Sequence, residues 1–151
     1  DYLFMVVYGS FVLAFFGATA TTLGRARWWY AGWLGPLAAA ADAVENALLL
    51  SINADMTASE VELTWLPWPV WAKFCALAVA CGLAAIALAR QRAWFAALLC
   101  LPAPLMIGFG IASPLRWGQP GVNAIAVGWV AMLGWAAWLA WRAGGAPRTI
   151  T

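Results

Sequence analysis

The sequence predicts an all-α protein: a polytopic integral membrane bundle of five transmembrane helices forming a single domain over residues 1–151. Three observations predict it. Hydrophobic residues make up 66% of the chain and charged residues 9%, with a mean hydropathy of +0.83, where soluble domains carry about 25% charged residues. Five apolar runs come close to the ~20 residues that cross a hydrocarbon core as a helix. The polar breaks between these runs place arginine in alternate loops. The natural solvent of such a chain is the lipid bilayer. A net charge of +2 without a basic cluster argues against nucleic acid as a partner.

The first helix is expected over about 2–23, closed by GRAR at 24–27. The second covers about 28–52. The one long loop follows, NADMTASEVELTWLPWP at 53–69. It has room for a short interfacial helix capped by Ser59, with Trp65 and Trp68 at headgroup level. The third helix is expected over 69–89, ending at RQR (90–92), and the fourth over 93–112. Within the fourth, Pro102 and Pro104 remove backbone donors and should kink it. Gly108 and Ala112 form a small-xxx-small pair there, which lets another helix approach closely. SPLRWGQPG (113–121) leads to the fifth helix over 122–141, and RAGGAPRTIT closes the chain.

Alternation of the loops assigns Arg25, Arg27, Arg90, Arg92, Arg142 and Arg148 to one side, and only Arg116 and Lys73 to the other. Cytoplasmic loops attract such an excess of basic residues, so Asp1 is expected outside and the C-terminus inside. The sequence runs from Asp1 straight into an apolar helix, so an upstream helix or a removed targeting segment is expected before an outside start. The tryptophans fall into two belts. Trp28, Trp29, Trp94, Trp138 and Trp141 lie at the inner ends, Trp65, Trp68, Trp71 and Trp117 at the outer side. Trp33, Trp129 and Trp135 are deeper, where they pack in the core or on lipid, or meet a flat ligand, a pigment or a neighbouring subunit. Cys75, Cys81 and Cys100 sit inside apolar runs and read as small buried hydrophobes. There is no histidine, so haem or chlorophyll could not be ligated through one.

The run AAAADAVENALLL (38–50) breaks the apolar pattern. Asp42, Glu45 and Asn46 are spaced i, i+3, i+4 and share one helix face. An ionised aspartate at a bilayer centre costs about 2.5–3.5 kcal/mol on the insertion scale, so this face must turn to the bundle interior, a partner or a water-filled cavity. Lys73 is the one cation inside a span, at a depth closer to Glu45 than to Asp42, and the two are expected to pair. Tyr8 and Ser10 of the first helix reach similar depth as donors, and Asn123 of the fifth is a weaker candidate. Two carboxylates sharing one lysine cannot both stay ionised cheaply, and Asp42, the deeper, is expected to hold the proton. Three roles fit the pattern: a satisfied network that fixes helix register, a proton, ion or small-molecule site, and a surface that pairs with another subunit.

DYLFMVVYG at the start followed by DAVENALLL resembles a group of uncharacterised bacterial multi-span membrane proteins. In that group an Asp-aromatic-Leu-Phe start and a Tyr-Gly mark one helix and an Asp-x-x-Glu-Asn the next, preceded by a further helix. The likeness covers the first third of the chain and Lys-Phe at 73–74. It implies that Asp1, Tyr8, Asp42, Glu45, Asn46 and Lys73 form one constellation, and it carries no activity with it.

By function class, an enzyme fits poorly: there is no histidine, thiol dyad, phosphate loop or metal cluster in the pattern. The expectation is a non-catalytic accessory or scaffolding subunit that packs on a larger membrane complex, photosynthetic or respiratory, with lipid or pigment contacts. Its expected docking face is Trp129, Trp135 and Trp138. The alternative is a small proton, ion or small-molecule transporter using Asp42, Glu45 and Lys73.

Overall fold

A computed structural model describes residues 2–54 and 60–144, with backbone alone at 60, 114–118 and 143–144. Ser59, Asp1, Asp55 and Arg148 lie outside the described residues. All regular structure among the described residues is helical. α1 is Tyr2–Thr22, α2 Trp28–Gly32, α3 Leu34–Ala54, α4 Glu60–Trp65, α5 Pro67–Arg90, α6 Trp94–Cys100, α7 Pro102–Ala112 and α8 Pro114–Gly144. Five helical segments are long and apolar enough to cross a membrane: Tyr2–Thr22, Trp28–Ala54, Val61–Arg90, Trp94–Ala112 and Gln119–Arg142.

Proline explains where the helices differ from the expected boundaries. The second apolar run is interrupted at Trp33, between α2 and α3. Pro36 lies four residues after Gly32, so it cannot donate to the Gly32 carbonyl and its ring crowds that group. The fourth run breaks the same way at Leu101, where Pro104 cannot donate to Cys100. α5 starts at Pro67 rather than 69. Both Pro67 and Pro69 fall in the first turn, where the missing N–H has no intrahelical partner to lose. The expected polar break at 113–121 is instead mostly helix, because Pro114 starts α8 with its φ already helical, and α8 reaches 31 residues with Pro120 inside it. α1 ends in a left-handed glycine: Gly24 has φ +61°, and Arg25 N–H returns to the Ala20 carbonyl at 3.0 Å.

α5 is the central helix, touching each of the other seven. Its sequence makes this possible. Ala76, Ala78, Ala80, Ala84, Ala85 and Ala87 are buried and let neighbours close on it from several sides. Phe16, Leu88, Met132, Val12, Cys81 and Cys100 are the largest fully buried side chains. α1 and α3 cross closest at Gly9 and Gly35. A Cβ on Gly35 would lie 2.5 Å from the Gly9 carbonyl oxygen and 2.8 Å from Val12 Cβ. Pairs such as Gly9–Gly35, Leu13–Gly32 and Phe16–Trp28 show that α1 runs antiparallel to the α2–α3 run. Lys73–Asp42 and Arg90–Trp28 show the same for α5, and Gly128–Cys100 with Gly121–Ile107 for α8 against α6 and α7.

This alternation collects Arg25, Arg27, Arg90, Arg92 and Arg142 at one end. The ends at Tyr2, Ala54 and Pro67 lie together at the other. The perimeter is apolar: Leu3 and Tyr30 are each 79% exposed, Phe95 78% and Trp141 77%.

Candidate functional site

The polar face of α3 meets α1 and α5 inside the bundle. Because α3 and α5 are antiparallel neighbours, Lys73 comes level with residues 42–45. Its ammonium donates to Asp42 Oδ1 at 2.9 Å and also to Glu45 Oε2. All three side chains are largely buried, with 13% of Lys73, 15% of Asp42 and 17% of Glu45 exposed. The Tyr8 hydroxyl of α1 donates to Asp42 Oδ2 at 3.1 Å. Asn46 does not reach the carboxylates: its amide donates to the Asp42 backbone carbonyl one turn earlier, at 3.0 Å. It therefore braces the helix at Asp42, and belongs to the cluster's support.

Several sequence expectations change here. Lys73 reaches Glu45, the expected pair, and Asp42 as well. Both oxygens of Asp42 accept hydrogen bonds, as an ionised carboxylate does. Ser10 is exposed, on the far side of α1 from the cluster. Asn123 accepts from Gln119 at 3.1 Å, within α8.

A cavity of about 390 Å³ lies beside the cluster, open on one side. Tyr8, Asp42 and Lys73 supply its polar wall, and Phe4, Phe74 and Trp129 aromatic walls. The Lys73 ammonium sits 5.0 Å from the Phe74 ring centre. Tyr8 meets Phe4 edge-on at 5.4 Å and Trp129 at 6.3 Å. A few convergent polar groups in an otherwise apolar pocket are the usual make-up of a small-molecule site. Glu45 stands behind Lys73, away from the cavity lining. Below the cavity, Phe11 packs on Trp129 with ring centres 4.8 Å apart. Beyond that contact, towards the arginine-rich end, lies a second cavity of about 280 Å³ lined by Phe15, Thr19, Thr22, Gln91 and Trp135.

The three tryptophans expected to form one docking face do not share a face. From Trp129 to Trp135 is six residues, which turns a helix through about 600° and leaves the rings about 120° apart. Trp129 turns inward onto Phe11 and Tyr8. Trp135 stacks on Trp138 with centres 4.5 Å apart, and its Nε1 donates to Gln91 Oε1 at 3.1 Å. The contribution of Phe4 and α8 to the cavity is not legible in the sequence. Nothing in a run of apolar residues says that α8 folds back beside α1. The Phe next to Lys73 was the one available signal.

Among the described residues no group of three Cys, Asp or Glu side chains could hold a metal ion. Comparison with protein-family models, with curated proteins and with solved structures returned no match.

Proposed function

We propose that this is a non-catalytic integral membrane protein that takes a hydrophobic cation from the bilayer into the cavity beside Asp42 and Lys73. The membrane assignment is supported by the five long apolar helices and the apolar perimeter. Collection of five arginines at one end supports a cytoplasmic or equivalent position for that end, with the cavity in the opposite half. The observation that carries the ligand reading is the Lys73 bridge. Two carboxylates face one ammonium, so the site has surplus negative charge when both are ionised. The walls are aromatic faces, which attract cations. The same surplus suits exchange with a proton, and movement of the cation across the membrane is the function this arrangement serves.

Tetraphenylphosphonium is a suitable probe. The purified protein should bind it saturably. Ala126→Trp, which fills the cavity and leaves the cluster alone, should abolish binding. Asp42→Asn should weaken it. Equal binding by the Ala126→Trp protein would exclude this cavity as the site.

A second reading, an accessory subunit on a larger membrane complex, is supported by a different surface from the one expected. Gly108 has no atom within 4 Å of the position a Cβ would take, and Ala112 one turn later is exposed. This small-residue stripe on α7 is open to the close approach of another helix. On this reading Gly108→Leu reduces co-purification of a partner and leaves tetraphenylphosphonium binding intact.

A further inference from the structure

A separate groove lies between α6 and α8 at the arginine-rich end, with a volume of about 610 Å³. Trp94, Phe95 and Leu99 form one wall, and Val130, Gly134 and Trp138 the other. Gly134 leaves it open: no atom lies within 4 Å of where its Cβ would be. Arg92 stands at its mouth. The Arg142 guanidinium lies 4.0 Å from the centre of the Trp138 ring, on the same wall. No carboxylate lines the groove. The Lys73 ion pairs lie in the other half of the molecule. Arg92 therefore lines the groove and Arg142 flanks it through Trp138, with no carboxylate in the groove's wall.

Arg92 carries a second signal. Its φ is +62°, the left-handed backbone region that favours glycine. A short turn after α5 would accept glycine more easily, yet the position holds a long cation directed to this groove.

We infer that the groove binds an anionic phospholipid of the leaflet at the arginine-rich end. The phosphate is held by Arg92 and Arg142, and one acyl chain lies along Leu99, Val130 and Gly134. Guanidinium groups suit phosphate through paired, charge-assisted hydrogen bonds, and basic pockets between membrane helices are where anionic headgroups are retained. The lipid would seal the seam between α6 and α8. The inference rests on the proposed membrane placement and is independent of the ligand proposed for the other cavity.

The test uses the full chain, first checked for resistance to alkaline extraction from membranes, then purified, stripped of lipid and titrated by native mass spectrometry. Phosphatidylglycerol is compared with phosphatidylcholine. The intact protein should retain phosphatidylglycerol in preference. Arg92→Gly relieves the backbone and removes one charge, so it should fold at least as well and yet lose about fivefold in affinity for the anionic lipid. Gly134→Leu should exclude both lipids, while Arg25→Gln, at the same end but outside the groove, should change nothing. Equal retention of the two lipids, or an unchanged preference in Arg92→Gly, would overturn the lipid site alone. Release of the chain by alkaline extraction would overturn the membrane placement with it.

Discussion

Lys73 is the residue on which most of the polar chemistry depends. It pairs with Asp42 and Glu45 at once, and both carboxylates are largely buried. Removing one partner of a buried ion pair typically costs about 3–5 kcal/mol, because the charge left behind is uncompensated. Lys73→Met should therefore lower the thermal midpoint in detergent markedly. The triple change Asp42→Asn, Glu45→Gln and Lys73→Met should recover most of that loss, since no charge then remains to be paired. A triple variant as unstable as the single one would show that packing around Lys73, and not its charge, is what matters. Tyr8→Phe removes a single hydrogen bond to a charged group and should cost about 1.5–3 kcal/mol. The contact between Lys73 and the polar face was readable from the sequence because helices consecutive in the chain pack side by side, and because charges at matching depth have few alternatives in an apolar interior. Which carboxylate oxygen does what was not readable, since that depends on side-chain torsions and on Tyr8 arriving from a third helix.

At the scale of the helices, the tightest joint is the crossing of α1 and α3. Gly35→Ala would place a methyl group against the Gly9 carbonyl and Val12, and neither is a flexible side-chain end that can swing away. Overpacking of this kind costs about 1–3 kcal/mol. It should also prise α1 from α3 and lengthen the bond between Tyr8 and Asp42. Gly134→Ala makes the informative contrast, because nothing occupies that space, and as a mid-helix glycine its replacement should leave stability unchanged or raise it by up to about 1 kcal/mol. Denaturation curves of the two variants side by side would check both. The apolar runs announced five helical segments, but their interruptions required the proline rule to be applied four residues upstream. Pro36 breaks the helix at Trp33, and Pro104 does so at Leu101. Hydrophobicity alone does not register a missing donor. The tryptophans of α8 do not make a single docking face for a related reason: spacings of six and nine residues leave helix positions about 120° and 180° from Trp129.

For the molecule as a whole, the distribution of charge along the bundle predicts orientation. Single cysteines at Ala26 and at Gln91, in a background lacking the three native ones, should label from one side of the membrane, and a cysteine at Ser51 from the other. Labelling of all three from one side would contradict the alternating arrangement. The overall class was legible because composition leaves so few options. The fold-back of α8 was not, because contacts between helices distant in the chain are carried by surfaces that all look alike in sequence.

The length of α8 has a physical consequence of its own. Thirty-one residues at 1.5 Å each make a rod of about 46 Å, against a hydrocarbon core of ~30 Å. Its apolar part, Gln119–Arg142, alone is about 36 Å long. In the proposed membrane placement the rod leans, protrudes or thickens the lipid around it, each at a cost that grows with every ångström of mismatch. On that placement, α8 alone would favour a thicker bilayer. Reconstituted across a series of lipids with lengthening acyl chains, the protein's thermal midpoint should rise towards the longer members and fall in the short ones. A flat profile would mean that tilt absorbs the whole difference.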